Sequence, residues 1–251
     1  MKVAAVIPVR MASSRFPGKP LKPILGKSMI EHVWRRAKLC DSLNEVIIAT
    51  CDEEIRHEAQ RFGARVVMTS DQHESCVDRV EEAAQRIDAD IIINLQGDMP
   101  LVHPDSLSMI ARPLRDEPDL LFSDMVGSLY DENEVNSANV VKVVFDLQGY
   151  ALYYSREPIP SFKKLPPVMA AGRFKQFGIN AYRRASLSAF SSLSRTPLEK
   201  MESVDMLRLL EHGFKIRVVV SEHPVVGVDT DDDLKKAAEM MRKDIFYQRY
   251  K

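Results

Sequence analysis

Val3-Ala4-Ala5-Val6-Ile7-Pro8 runs through Val9 into Arg10-Met11-Ala12-Ser13-Ser14-Arg15-Phe16-Pro17-Gly18-Lys19-Pro20. The opening run is apolar and of strand length, and the loop after it is built of small residues and carries the cations Arg10, Arg15 and Lys19. A strand ending in such a loop offers backbone N–H groups and positive charge to a polyphosphate. The stretch predicts the first strand of an α/β sheet, with a nucleoside triphosphate at its carboxyl end.

Working outward, β-branched runs alternate with amphipathic stretches. Strands are expected over 45–50, 64–68 and 91–95, and helices over 29–40, 53–62 and 76–87. That rhythm implies a largely parallel sheet with helices on both faces. In open sheets of this kind ligands bind beyond the carboxyl ends of the strands, so the informative segments are Pro8–Lys19, Cys51-Asp52, Thr69–Arg79 and Gln96-Gly97-Asp98. From Leu120 to Ser194 strands follow one another without long helices: 120–127, 140–145, 150–155 and 178–182, with Gln148-Gly149 as a hairpin turn and 163–172 as a loop. One helix is expected over 197–213 with Leu198, Met201, Val204, Leu207 and Leu210 inward, then a strand over 216–220 and a terminal helix over 233–243. The chain reads as a single domain over 1–251. Residues 1–119 and 214–251 form its core, and 120–213 form a mixed-sheet extension that completes the substrate side.

With 35 Lys and Arg against 36 Asp and Glu, no global field favours nucleic acid or an anionic membrane. Cys40, Cys51 and Cys76 lack paired spacing, which argues against a disulfide framework or a zinc site and for a reducing cytoplasm. The N-terminal apolar run is too short for a secretion signal, and no later run approaches a membrane span.

Asp98 follows a buried strand, where a bound cation explains an acid better than stability does; the alternatives are a cap on a helix starting near Pro104 or a turn after Gly97. Asp229 follows Val225-Val226-Gly227-Val228 and is the second metal candidate, whereas Asp231, Asp232 and Asp233 fit the first turn of a helix. Two acids from distant strand ends suit Mg²⁺-dependent phosphoryl or nucleotidyl transfer, with loop cations steadying a leaving pyrophosphate. Cys76 reads as packing rather than a nucleophile, and His32, His57 and His212 as surface or packing residues. His73 stabilises a turn or contacts substrate, and of Tyr153 and Tyr154 one belongs to the core.

The run from Pro8 to Leu21 resembles the opening of the 3-deoxy-manno-octulosonate (Kdo) cytidylyltransferases. So do the Gly26-Lys27 turn, Gln96-Gly97-Asp98 with Pro100, the segment around Lys142, Tyr150–Arg156 with Ile159-Pro160, Gly178-Ile179 with Tyr182-Arg183, Pro197-Leu198-Glu199 and Gly227-Val228-Asp229-Thr230. These matches occur in family order along nearly the whole chain. The resemblance implies a Rossmann-like nucleotidyltransferase fold and a homodimer. It also implies transfer of CMP from CTP to the anomeric hydroxyl of an acidic 3-deoxy sugar, with Mg²⁺ and release of pyrophosphate. By position Lys19, Asp98 and Asp229 are catalytic and the two acids hold the metal. Pro8, Arg10, Ser13, Ser14, Arg15, Lys19, Ser75, Arg79 and Gln96 bind the nucleotide, Gln96 on the cytosine side. Lys142, Arg156, Gln176, Asn180, Glu199 and Asp205 surround the sugar.

The chain also departs from that pattern. His73-Glu74-Ser75-Cys76-Val77-Asp78-Arg79 stands where the family usually reads His-x-Ser-Gly-Thr-Asp/Glu-Arg, and Met99 replaces a Glu. Gln176 and Asn180 replace His and Tyr, and Asp205-Met206 replaces Glu-Gln. Several changes in one pocket argue for a relative of Kdo as acceptor, because a site built for particular hydroxyls rejects analogues that leave its polar groups unpaired. The rivals are the same chemistry on a nonulosonic, sialic-like acid, a Mg²⁺-dependent glycosyltransferase, and a catalytically impaired homologue that binds CTP.

Overall fold

The computed structural model describes residues 1–12, 16–73, 75–164 and 172–251. β1 (Val3–Pro8) is buried throughout, as an apolar strand covered on both faces must be. A small hairpin, β2 (Pro23–Ile24) and β3 (Lys27–Ser28), leads into α1 (Met29–Lys38). There follow β4 (Glu45–Thr50), α2 (Glu53–Arg61), β5 (Arg65–Met68), α3 (Cys76–Ala84), β6 (Ile91–Asn94) and α4 (Pro104–Asp116). The second half holds β7 (Phe122–Ser128), α5 (Glu132–Val135), β8 (Lys142–Phe145), β9 (Ala151–Ser155) and β10 (Phe174–Arg183). It ends with α6 (Arg184–Ser192), α7 (Pro197–Glu202), α8 (Met206–Glu211), β11 (Ile216–Ser221) and α9 (Asp231–Arg242).

One nine-stranded sheet results, ordered β11-β7-β10-β6-β1-β4-β5, with β8 on β10 and β9 on β8. β6, β1, β4 and β5 are parallel, while β10 runs antiparallel to both β6 and β7. Alternation along β1 shows how the sheet is covered. Val3, Ala5 and Ile7 join the core beneath α1 and α4, and Ala4 and Val6 join the core beneath α3 and α6. Every β1 side chain is therefore committed to packing, and polar function is displaced to the loop beyond Pro8.

The structure corrects the expected elements in the second half. β10 is twice the expected strand, because a register shift between Gln176 and Asn180, with Gly178 at φ 73°, lets it continue instead of stopping. The α6 helix was not anticipated. The helix expected over 197–213 is two helices, broken at Ser203 with φ 52°, and Met201 is exposed rather than inward.

A buried ion pair explains that break. Arg208 Nε donates to Glu199 Oε2 at 2.8 Å and its Nη2 to Oε1 at 2.5 Å, and both residues are buried. One straight helix would place these residues, nine apart, on faces about 180° opposed at 100° per residue, so the chain folds α8 back to close the pair. Glu199 Oε2 also accepts from Thr196 N at 3.2 Å, which ties the start of α7 to the same carboxylate. Removing one partner strands a buried charge, so Arg208→Ala lowers unfolding free energy by about 3 kcal/mol in urea titration.

Candidate active site

The Gln96-Gly97-Asp98 segment leaves the carboxyl end of β6 directly beside the end of β1. Gly97 is required there, because a Cβ at this position falls 2.1 Å from Val9 Cγ1. Lys19, in a short 3₁₀ turn after the N-terminal loop, reaches both acids: its Nζ lies 2.7 Å from Asp98 Oδ2 and 2.8 Å from Asp229 Oδ1. Val228 N donates to the Asp98 carbonyl at 3.0 Å and fixes the second acid's backbone against the first. Partial burial pulls the Lys19 ammonium down, but Asp98 and then Asp229 outweigh it and hold its pKa above the ordinary lysine value. Asp98 does not cap α4. That cap is His103, whose Nδ1 accepts from Asp105 N at 3.2 Å. Asp233 closes the start of α9 by accepting from Thr230 N at 3.1 Å, in keeping with a capping role.

Met11 N donates to Asp52 Oδ2 at 2.8 Å, so the second residue after β4 holds the start of the N-terminal loop. Pro8, Arg10, His73, Ser75, Cys76 and Arg79 line a cavity of about 50 Å³. Ser75 caps α3, its Oγ accepting from Asp78 N at 3.2 Å, and buried Arg79 donates to Thr69 Oγ1. His73 pairs with Glu82 at 2.6 Å, which accounts for it as a turn-stabilising residue. Ser13, Ser14 and Arg15 lie outside the described residues.

A second cavity of about 770 Å³ adjoins the first through Ser75 and Cys76. Its wall includes Gln96, Arg156, Gln176, Asn180, Glu199 and Asp205. Gln96 therefore stands with the residues assigned to the sugar rather than with Arg10 and Arg79, and its Nε2 donates to Asn94 Oδ1 and to the Gly178 carbonyl, each at 3.3 Å. Lys142 is a correction. Its ammonium is buried and donates to the carbonyls of Ser137 at 2.9 Å, Val140 at 2.8 Å and Arg156, so its three donors brace the chain and none is left for a ligand. Arg156 itself donates to the carbonyls of Glu202, Ala138 and Ser203, which holds its guanidinium at the cavity wall. Burial pushes the Asp205 carboxyl up, and Glu199 adds to the effect.

Sequence reasoning missed Asp124. It is fully buried on β7 and accepts from Asn180 Nδ2 at 2.5 Å and Gln176 Nε2 at 3.1 Å. Desolvation pushes its pKa up to about 7 despite those bonds. An acid in the middle of the run Phe122-Ser123-Asp124-Met125-Val126 was the available signal. Tyr154 is core, Tyr153 donates to Glu202 at 3.2 Å, and buried His32 bonds the Ile24 carbonyl at 2.7 Å, whereas Cys76, expected to pack, is exposed where the two cavities adjoin. Among the described residues, no helix is long and apolar enough to cross a membrane.

Known proteins match this arrangement end to end. The cytidylyltransferase family profile matches residues 4–216. The chain belongs to that family. The 3-deoxy-manno-octulosonate cytidylyltransferase of Geobacter metallireducens is 43% identical over 251 residues, covering 97% of this chain and 99% of that protein. Its counterpart in Geobacter sulfurreducens is 42% identical over 250 residues, covering 96% and 100%. A solved structure of CMP:2-keto-3-deoxy-manno-octonic acid synthetase complexed with CTP superposes with a TM-score of 0.89 at 38% identity, covering 97% of this chain and 99% of that one. The likeness to that structure thus extends over 97% of this chain.

Two outcomes test this geometry. Gly97→Ala forces Val9 and the Asp98 loop apart and weakens CTP binding at least tenfold in calorimetry, while the far-ultraviolet circular dichroism stays unchanged. Asp124 keeps its proton in the folded chain up to about pH 7, whereas the unfolded chain releases it near 3.8. The unfolded state therefore binds fewer protons across that window, and this carboxyl makes stability fall as pH rises from about 4 to 7. Asp124→Asn removes that part of the slope in thermal melts recorded at stepped pH.

Proposed function

We propose that the chain transfers CMP from CTP to the anomeric hydroxyl of a 3-deoxy-ulosonic acid, with Kdo as the default acceptor. The observation that carries this reading is the convergence of Asp98 and Asp229 on one cation, Lys19 Nζ, beside two adjoining cavities at the carboxyl end of β1. The family and the CTP-bound relative support it. The sugar oxygen attacks the α-phosphorus in line, the bond from that phosphorus to the bridging oxygen breaks, the hydroxyl proton passes to solvent water and pyrophosphate leaves. No covalent enzyme intermediate is required.

In this reading Arg10, Ser13, Arg15 and Lys19 hold the triphosphate, and Pro8, Ser14, Ser75 and Arg79 complete the nucleotide site. Arg forks two phosphate oxygens, while Lys acts as a point charge. Two carboxylates already gathered around one cation fit a hard divalent ion that prefers oxygen ligands, so Asp98 and Asp229 are the proposed Mg²⁺ holders. Such an ion neutralises charge developing on the transferred phosphate. Arg156, Gln96, Gln176, Asn180, Glu199 and Asp205 form the acceptor cavity. The protein acts as a single domain in the cytoplasm and as a homodimer, and exposed Leu152 on the outer strand β9 offers apolar surface to the second copy.

Pyrophosphate release from CTP across a panel of ulosonic and nonulosonic acids decides the acceptor. Turnover with Mg²⁺ is expected for an eight-carbon acid, is abolished by EDTA and falls at least a thousandfold in Asp98→Asn. CTP binding without turnover on any acid overturns the proposal in favour of an impaired homologue. Arg10→Ala raises KM for CTP roughly tenfold, the loss of one charge-assisted phosphate contact. Sedimentation velocity reads the oligomer: a dimer in the wild type and a monomer in Leu152→Glu.

A further inference from the structure

The polar face of the acceptor cavity follows from how the sheet is ordered. Asn180 on β10 stands opposite Asn94 on β6 and opposite Asp124 on β7, so the three residues form one cross-strand row on one face of the sheet. Gln176 stands opposite Val126, two residues along from Asp124 and on the same face. The Asp124 carboxylate can only accept, so the amide groups it touches must turn their nitrogens toward it. Gln96 is oriented the same way, because its nitrogen donates to Asn94 Oδ1 and to the Gly178 carbonyl. All three amides line the cavity, and among the described residues none of their oxygens accepts a hydrogen bond.

Resting on the cytidylyltransferase reading, we infer that Asp124 is a positioning residue that locks Gln176 and Asn180 with their carbonyl oxygens toward the acceptor. With Gln96 they form a wall of three amide oxygens that selects a sugar presenting hydrogen-bond donors there. Hydroxyl and amino substituents satisfy the wall. A deoxy or O-methyl substituent leaves buried oxygens unpaired, which a site of this kind rejects strongly. The wall also accounts for Gln and Asn at 176 and 180: each amide joins the buried carboxylate and the ligand, using one donor behind and one acceptor in front. A protonated Asp124 releases the lock, since its O–H can donate to an amide oxygen and let that amide turn. Tyr154 on β9 and Tyr182 on β10 face this carboxyl, Asp205 at the start of α8 acts on Tyr182, and burial places the Asp124 titration near neutrality.

The test compares the wild type with Asp124→Asn, which keeps the volume but supplies both a donor and an acceptor. Steady-state pyrophosphate release is read with Kdo and with its single-position deoxy and O-methyl analogues from pH 5.5 to 8.5, and sugar binding is read by calorimetry in the presence of a non-hydrolysable CTP analogue. In the wild type at least one O-methyl analogue loses tenfold or more in kcat/KM, and KM for the sugar rises as pH falls below about 7. In Asp124→Asn the sugar KM rises at least tenfold with the CTP KM unchanged, the analogue penalty shrinks, and the pH dependence of the sugar KM flattens. A general loss of folding moves both Michaelis constants and the melting temperature together, so a sugar-only effect separates positioning from stability. Turnover with an unchanged sugar KM in Asp124→Asn, or analogues that match Kdo in the wild type, overturns this inference while leaving the transferase reading intact. Absence of both turnover and calorimetric sugar binding overturns the two together.

Discussion

Three distant parts of this chain are held together by one ammonium group. Asp98 and Asp229 repel each other wherever both are ionised and close, and Lys19 offsets that repulsion by bonding both. Its partners lie 79 and 210 residues away along the chain, so a single side chain joins the first loop, the end of β6 and the segment before α9. Because the pairs are only partly exposed, their attraction is less screened than that of a surface ion pair. The arrangement also concentrates charge of both signs beyond the carboxyl ends of β1 and β6.

A second constraint acts through the sheet. β10 enters between β6 and β7 in the opposite direction to β6, so residues from the middle of a late strand lie beside the end of an early one. That reversal carries Gln176 and Asn180 to the edge where Gln96 and Asp98 emerge. The bulge at Gly178 then turns a backbone carbonyl toward Gln96 and links the two halves through a hydrogen bond. The larger cavity is thus a consequence of strand order as much as of side-chain chemistry. Its far wall depends on the Glu199–Arg208 pair, which bends α7 against α8 and brings Glu199 and Asp205 to the same opening.

Much of the first half was legible from residue type. β1, β4 and β6 are apolar runs bounded by polar turns, and each emerged within a residue or so of the expected range. Asp98 was singled out as an acid just after a buried strand and Asp229 as one after an apolar run; that run forms no strand, yet both side chains meet one cation. Lys142 shows the opposite case. A lysine in a conspicuous segment near a predicted sugar site reads as a ligand, but three backbone carbonyls converge on its ammonium, and carbonyl positions leave no trace in side-chain pattern. Asp124 was passed over because its partners sit on another strand more than fifty residues away.

Local physics determined which segments extend, which coil, where the basic loop begins and which acids lack a structural excuse, since periodicity and turn chemistry act over neighbouring residues. Tertiary structure alone decided that Lys19 joins two remote carboxylates, that Gln96 faces the larger cavity, that Arg208 breaks a helix and that a buried carboxyl orients two amides. These depend on contacts between residues that sequence pattern does not pair, whose strength depends on burial and direction, and none exists until the chain has folded.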